Sequence, residues 1–128
     1  MPLVRFNEMP IHRNDANIEA RRILNRYMGA TTISSGISVF APGAGIFLHT
    51  HPCEEAVYIV DGEAACEIDG ERLTMGRFDA LLVPPRVPHR FWNEGDRPFT
   101  MLYMYPSVDV TRDPVHPEDQ PATTAAHY

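Results

Sequence analysis

The 128-residue chain contains no lysine: all 11 of its basic residues are arginines. A lysine Schiff base, a pyridoxal phosphate anchor and a phosphate-binding P-loop are therefore excluded, since each needs an ε-amine. Cysteine is nearly as scarce. Cys53 and Cys66 are the only two, too few for a disulfide framework and wrongly spaced for a Cys-x-x-Cys motif, so reduced thiols in a cytoplasmic protein are expected. No apolar run approaches the roughly 18 residues of a membrane span. The opening Met-Pro-Leu-Val-Arg-Phe-Asn-Glu has no apolar stretch suited to a signal peptide. Positive charge is also short. With 17 acidic residues against 11 basic ones the formal charge is −6, which repels nucleic acid and anionic membrane and argues against either as the main partner. The length suits one domain with one hydrophobic core.

What the chain has in excess is proline, 12 residues and about twice average usage. Pro84, Pro85 and Pro88 cluster in mid-chain, and five more fall after residue 97. Between the prolines the pattern is strand and turn. Short β-branched or apolar runs at 37–40, 46–50, 56–60, 64–68, 72–75, 80–83, 89–93 and 99–105 are separated by Gly, Pro and Asp-Gly turns. Asp61-Gly62 and Asp69-Gly70 are hairpin signals, because glycine supplies the positive φ of a type I′ turn. Strands of four to seven residues at this spacing predict an all-β sandwich or barrel over 31–106. Residues 1–30 read as an N-terminal arm. Within it 16–28 fits either a helix capped by Asp15 or an extended segment. Residues 107–128 read as a Pro-rich tail with too few apolar side chains to order itself, expected to be loose or docked on a partner subunit.

One stretch carries chemistry: Gly43-Ala-Gly-Ile-Phe-Leu-His49-Thr-His51-Pro-Cys53-Glu54-Glu55. Side chains alternate faces along a strand, so His49, His51 and Glu55 share a side while Glu54 faces away. Two imidazoles and a carboxylate suit a divalent iron, manganese, nickel, zinc or copper ion. An H-x-H pair alone also fits two surface histidines in a loop. Pro84-Pro85-Arg86-Val87-Pro88-His89 then places a further histidine at a strand start. If its strand faces that of His49, the site has four ligands and keeps open positions on the metal.

These residues resemble the first motif of the cupins: a glycine, five residues, H-x-H, three or four residues, a glutamate, six residues and a glycine. Gly43, His49, His51, Glu55 and Gly62 match every interval. The second cupin motif is partly kept. Pro84, His89 and Asn93 hold their places, but Arg86 and Phe78 stand where the motif has glycines, which puts the loop shape at the barrel mouth in question. The resemblance covers roughly residues 30–106. It implies an antiparallel jelly-roll β-barrel and one divalent metal per chain held by His49, His51, Glu55 and His89.

Other residues are weaker candidates. Arg86 could clamp a substrate carboxylate, though a solvated turn arginine is the plainer reading. Phe40, Phe47, Phe91, Met101 and Tyr103 could line a ligand pocket, though most such residues at alternate strand positions are core. Tyr103 is the candidate for proton transfer. Cys53 has ligand parity but reads as a packed thiol. Trp92 has outward parity and suggests a protein interface, in line with the cupin habit of forming homodimers. The functional expectation is a metal-dependent enzyme on a small organic substrate: a dioxygenase with iron, or an isomerase, cyclase or lyase with a Lewis-acid metal. The alternative is a non-catalytic module that binds or senses a small molecule.

Overall fold

The structure is a computed structural model, and it describes residues 2–119. Ten strands follow in order: β1 (Ile18–Leu24), β2 (Ser34–Phe40), β3 (His49–Thr50), β4 (Glu55–Asp61), β5 (Ala64–Ile68), β6 (Glu71–Met75), β7 (Ala80–Val83), β8 (His89–Trp92), β9 (Phe99–Tyr105) and β10 (Asp113–Pro114). Single turns of 3-10 helix precede β1, join β1 to β2 and follow β10, and no α-helix occurs among the described residues. The strands form two antiparallel five-stranded sheets, ordered β1-β2-β9-β4-β7 and β10-β3-β8-β5-β6. This is the all-β architecture that the strand spacing predicts, and it is consistent with the jelly roll that the resemblance implies.

Alternation along the strands makes the core. In β9, residues 99, 101, 103 and 105 are buried and the intervening ones are not. In β4, Glu55, Val57 and Ile59 turn inward. Phe40 stacks on Phe99 with ring centroids 4.3 Å apart, and Val57, Ile59 and Phe99 are fully buried. Burying each such side chain stabilises the fold by roughly 1.5–3 kcal/mol.

The flanks complete the barrel. The arm is a strand: β1 pairs with β2 from Ile18↔Phe40 to Arg22↔Gly36. The helix it could have formed lacks its cap, because the Asp15 carboxylate accepts two hydrogen bonds from Arg112. The segment after residue 106 departs from the expected loose tail. Val110 is fully buried, Val115 donates its N–H to the Leu48 carbonyl at 3.0 Å, and β10 pairs with β3. One fully buried valine and a paired arginine anchor a segment whose overall composition is poor in apolar residues. The part of the predicted tail at 120–128 lies outside the described residues. The strand expected over 46–50 shortens to β3. Its first residues run beside β8 in a looser pairing, with Ile46 donating to the Phe91 carbonyl.

The turns explain the departures from the glycine pattern. Asp69 and Gly70 both take positive φ, 49° and 80°, as a type I′ hairpin demands. At Gly62 (φ 80°) an added Cβ would lie 2.7 Å from the Pro98 carbonyl oxygen. Phe78 and Arg86, the two residues standing in place of motif glycines, have φ of 70° and 62°. The loops therefore keep a left-handed shape and bear its strain.

Phe78 is 69% exposed, so it has little packing to lose. Phe78→Gly is expected to raise stability by about 0.5–1 kcal/mol, relief of the left-handed penalty exceeding the entropy cost of glycine. Gly62→Ala is expected to lower it by about 2 kcal/mol. Urea unfolding midpoints, with slopes unchanged, check both.

Candidate metal centre

His49 on β3 and His89 on β8 pair directly across the ladder, and their rings lie 4.3 Å apart. His51 follows β3, and Glu55 opens β4 in the opposite sheet. All four are buried, at 2%, 0%, 2% and 3% exposure for His49, His89, His51 and Glu55. One ring nitrogen from each histidine lies within 4.8 Å of the others. His89 Nε2 is 3.0 Å from Glu55 Oε1, and His51 Nε2 is 3.6 Å from the same oxygen.

The backs of the rings decide which nitrogen faces in. His49 Nδ1 meets the Phe47 carbonyl at 2.7 Å, His51 Nδ1 the Thr111 carbonyl at 2.8 Å, and His89 Nδ1 the Val87 carbonyl at 2.9 Å. A carbonyl only accepts, so each Nδ1 carries the proton and each Nε2 bears the lone pair, those of His89 and His51 lying beside Glu55. Carbonyl-backed imidazoles are the arrangement that fixes metal-ligating histidines. Three lone pairs converging on a carboxylate in a buried space repel one another unless a cation lies between them. The donor set therefore fits a divalent ion.

Electrostatics agree. Burial holds His49 well below 6.5, helped by repulsion from His89, His51 and Arg112. Burial also lowers His51, against the opposing pull of Glu55. Both are therefore neutral near pH 7, the form that ligates a metal.

His49, His51 and Glu55 line a cavity between the sheets. Phe40, Phe91, Met101 and Tyr103 line it, as the alternation of their strands implies. Phe47 does not. It stands edge-on to His49 at 5.8 Å and beneath the Arg112 guanidinium at 4.4 Å. Arg86 is exposed and contributes through its backbone, its N–H donating to the His51 carbonyl at 2.8 Å. Cys53 is half-buried and unbridged, and burial followed by Glu55 pushes its thiol up. Glu54 is exposed. Trp92 is half-buried, donating to Glu94 at 2.7 Å with the Arg90 guanidinium over its ring.

Two site residues are absent from the sequence-based set. The Tyr105 hydroxyl lies 3.3 Å from His51 Nε2, and its parity with Tyr103 on β9 signals its inward direction. Arg112, with a side chain 6% exposed, lines the cavity and clasps Asp15. Nothing in the local pattern of the Pro-rich segment singles it out.

Known proteins resemble this chain in sequence and in fold. The family profile described as "Cupin domain" matches residues 36–105. The chain is 36% identical over 77 residues to "Polyketide synthase CurC" of Streptomyces cyaneus, covering 59% of this chain and 50% of that one. It is 35% identical over 75 residues to "Gentisate 1,2 dioxygenase 1" of Aquipseudomonas alcaligenes, covering 58% of this chain and 21% of that one. The chain thus spans half the first relative and about a fifth of the second. Among solved structures, the polyketide cyclase RemF from Streptomyces resistomycificus superposes with a TM-score of 0.79 at 20% identity, covering 93% of this chain and 89% of that one.

Because His49 and His51 titrate below 6.5 in the fold and near 6.5 when unfolded, the unfolded chain takes up protons first as pH falls. Their contribution is complete above about pH 6.5 and is lost on acidification toward the lowered values, at up to about 1.4 kcal/mol per pH unit for each. Thermal unfolding of the metal-free protein from pH 8 to 5 is expected to show this loss. His49→Gln is expected to flatten it.

Proposed function

The chain belongs to the cupin domain family, and on that premise we propose that it is an enzyme acting on a small organic substrate at one divalent ion held by His49, His51, Glu55 and His89. The observation that carries this reading is the set of three carbonyl-backed imidazoles whose Nε2 atoms converge near one buried carboxylate. When bound, such an ion supplies a Lewis acid with open positions that polarises a substrate oxygen.

The chain's own residues supply the rest. Phe40, Phe91 and Met101 form apolar walls that hold a mainly apolar substrate and exclude water, which strengthens every charge interaction within. The hydroxyls of Tyr103 and Tyr105 hold or pass a proton at a substrate oxygen. An added Cβ on Gly36 would lie 2.1 Å from the Tyr103 hydroxyl, so only glycine at 36 leaves that phenol its position. Phe47 backs His49, and Arg86 serves as a contact for a substrate group outside the cavity. Free thiols suit a cytoplasmic location. The exposed Tyr58, Leu82 and Met104, which share the outer face of one sheet, supply apolar surface for a homodimer.

Of the two reaction types, Lewis-acid cyclisation or isomerisation is favoured by the likeness to the polyketide cyclase RemF, whose fold matches nearly all of this chain. A second reading, an iron dioxygenase, draws on the likeness to the gentisate enzyme.

Protein purified without a chelating tag and reconstituted with iron, manganese, nickel, zinc or copper is expected to retain one ion per chain by elemental analysis. His89→Ala is expected to weaken retention at least about 100-fold. Turnover of carbonyl-bearing aromatic precursors by the zinc form without oxygen uptake supports the cyclase or isomerase. Oxygen uptake by the iron form with aromatic diols supports the dioxygenase. Ligand-induced thermal shifts without turnover identify a binding module instead, and failure of all five metals to bind removes the proposal.

A further inference from the structure

A row of residues crosses the first sheet on its cavity side. His12 bridges Ala20, Ala20 pairs with Ser38, and Ser38 pairs with Met101. All four line the cavity. The row stands apart from the metal ligands. Ala56 pairs with Met104, which sets Glu55 level with Tyr105, and Met101 is four residues back along β9. At 3.3–3.4 Å per residue the two levels are roughly 13 Å apart along the strand.

Two polar groups in this row lack an internal role. Ser38 is 7% exposed on a wall shared with Met101 and Phe40, and its hydroxyl, which makes no side-chain hydrogen bond among the described residues, is open to the cavity. His12 is half-buried. Its backbone is held by paired hydrogen bonds with Ala20 at 2.7 and 2.9 Å, yet its ring makes no hydrogen bond among the described residues. Burial and then Arg22 lower its pKa from 6.5, so the ring is neutral near pH 7, with one donor and one acceptor. A hydroxyl and an imidazole on a cavity wall without a protein partner are free to bond a water or a ligand. The Arg112–Asp15 pair on the cavity wall is closed on itself, with both terminal nitrogens bonding Asp15 at 2.9 and 3.1 Å, and a hydroxyl beside a neutral imidazole suits an uncharged group.

We infer that Ser38 and His12 form a polar subsite that receives a second oxygen of the substrate, an uncharged hydroxyl or carbonyl, while the metal end receives the first. The substrate is then an apolar body with an oxygen function toward each end. The inference rests on the cavity being the substrate pocket, and it deepens that reading by adding a second recognition point.

The test uses 2-naphthol and 2,6-dihydroxynaphthalene as probes, titrated calorimetrically into the full chain, metal-free and zinc-loaded. The diol is expected to bind about fivefold more tightly, the gain from one added hydrogen bond. Ser38→Ala and His12→Leu are each expected to bring the ratio close to one while leaving 2-naphthol affinity within about twofold. A crystal structure with the diol is expected to place its second oxygen within about 3.2 Å of Ser38 Oγ. Equal affinities in the parent protein, a ratio that survives both substitutions, or no binding of either probe overturns the inference. Failure of the metal reading shows separately, as absence of zinc binding while the ratio persists in the metal-free protein.

Discussion

Everything at the inner end of the cavity depends on three hydrogen bonds behind the imidazoles. Each joins an Nδ1–H to a backbone carbonyl, and each aims an Nε2 lone pair at the same buried space. Two of those carbonyls, Phe47 and Val87, lie two residues before their histidines, so local strand geometry makes the bond. The third belongs to Thr111, 60 residues from His51. A hydrogen bond of this kind contributes only about 1 kcal/mol to stability. Its larger effect is on direction, since a rotated ring would offer a proton where a lone pair is needed.

The flanks of the chain are part of that arrangement. Residues matched by the family profile end at 105, yet the cavity mouth is bounded by the arm before β2 and the segment after β9. Arg112 ties the two with a bidentate bond to Asp15, joining regions 97 residues apart at the edges of opposite sheets. With side chains 6% and 19% exposed, this pair is screened less by salt than a surface pair. Its worth lies in holding the mouth in register.

The barrel and the gathering of the three histidines with Glu55 were legible in the sequence. Parity put His49, His51 and Glu55 on one face, and the resemblance to the cupin motifs tied His89 to them. The loops around Phe78 and Arg86 were harder, since a glycine pattern that is broken in sequence survives in the backbone as positive φ. The state of the arm was not legible at all. Helix or strand over 16–28 turns on whether the open edge of β2 is there to pair with, and on whether Asp15 caps a helix or meets Arg112. Both depend on residues distant in sequence. Tyr105 could have been found by the alternation that found Tyr103. Arg112 could not, because its role comes from what lies across from it and not from its own neighbours. Arg86 shows the converse: a position prominent in a motif serves here through its backbone N–H.

The bond from His51 to Thr111 has a consequence for biosynthesis. Nearly the whole barrel has emerged from the ribosome before residue 111 does, and until then His51 has no carbonyl to set its ring. The ring of His51 stays free to turn until the same short segment that brings the buried Val110 and strand β10 is in place. The last strand of the second sheet and the final orientation of that imidazole therefore arrive together.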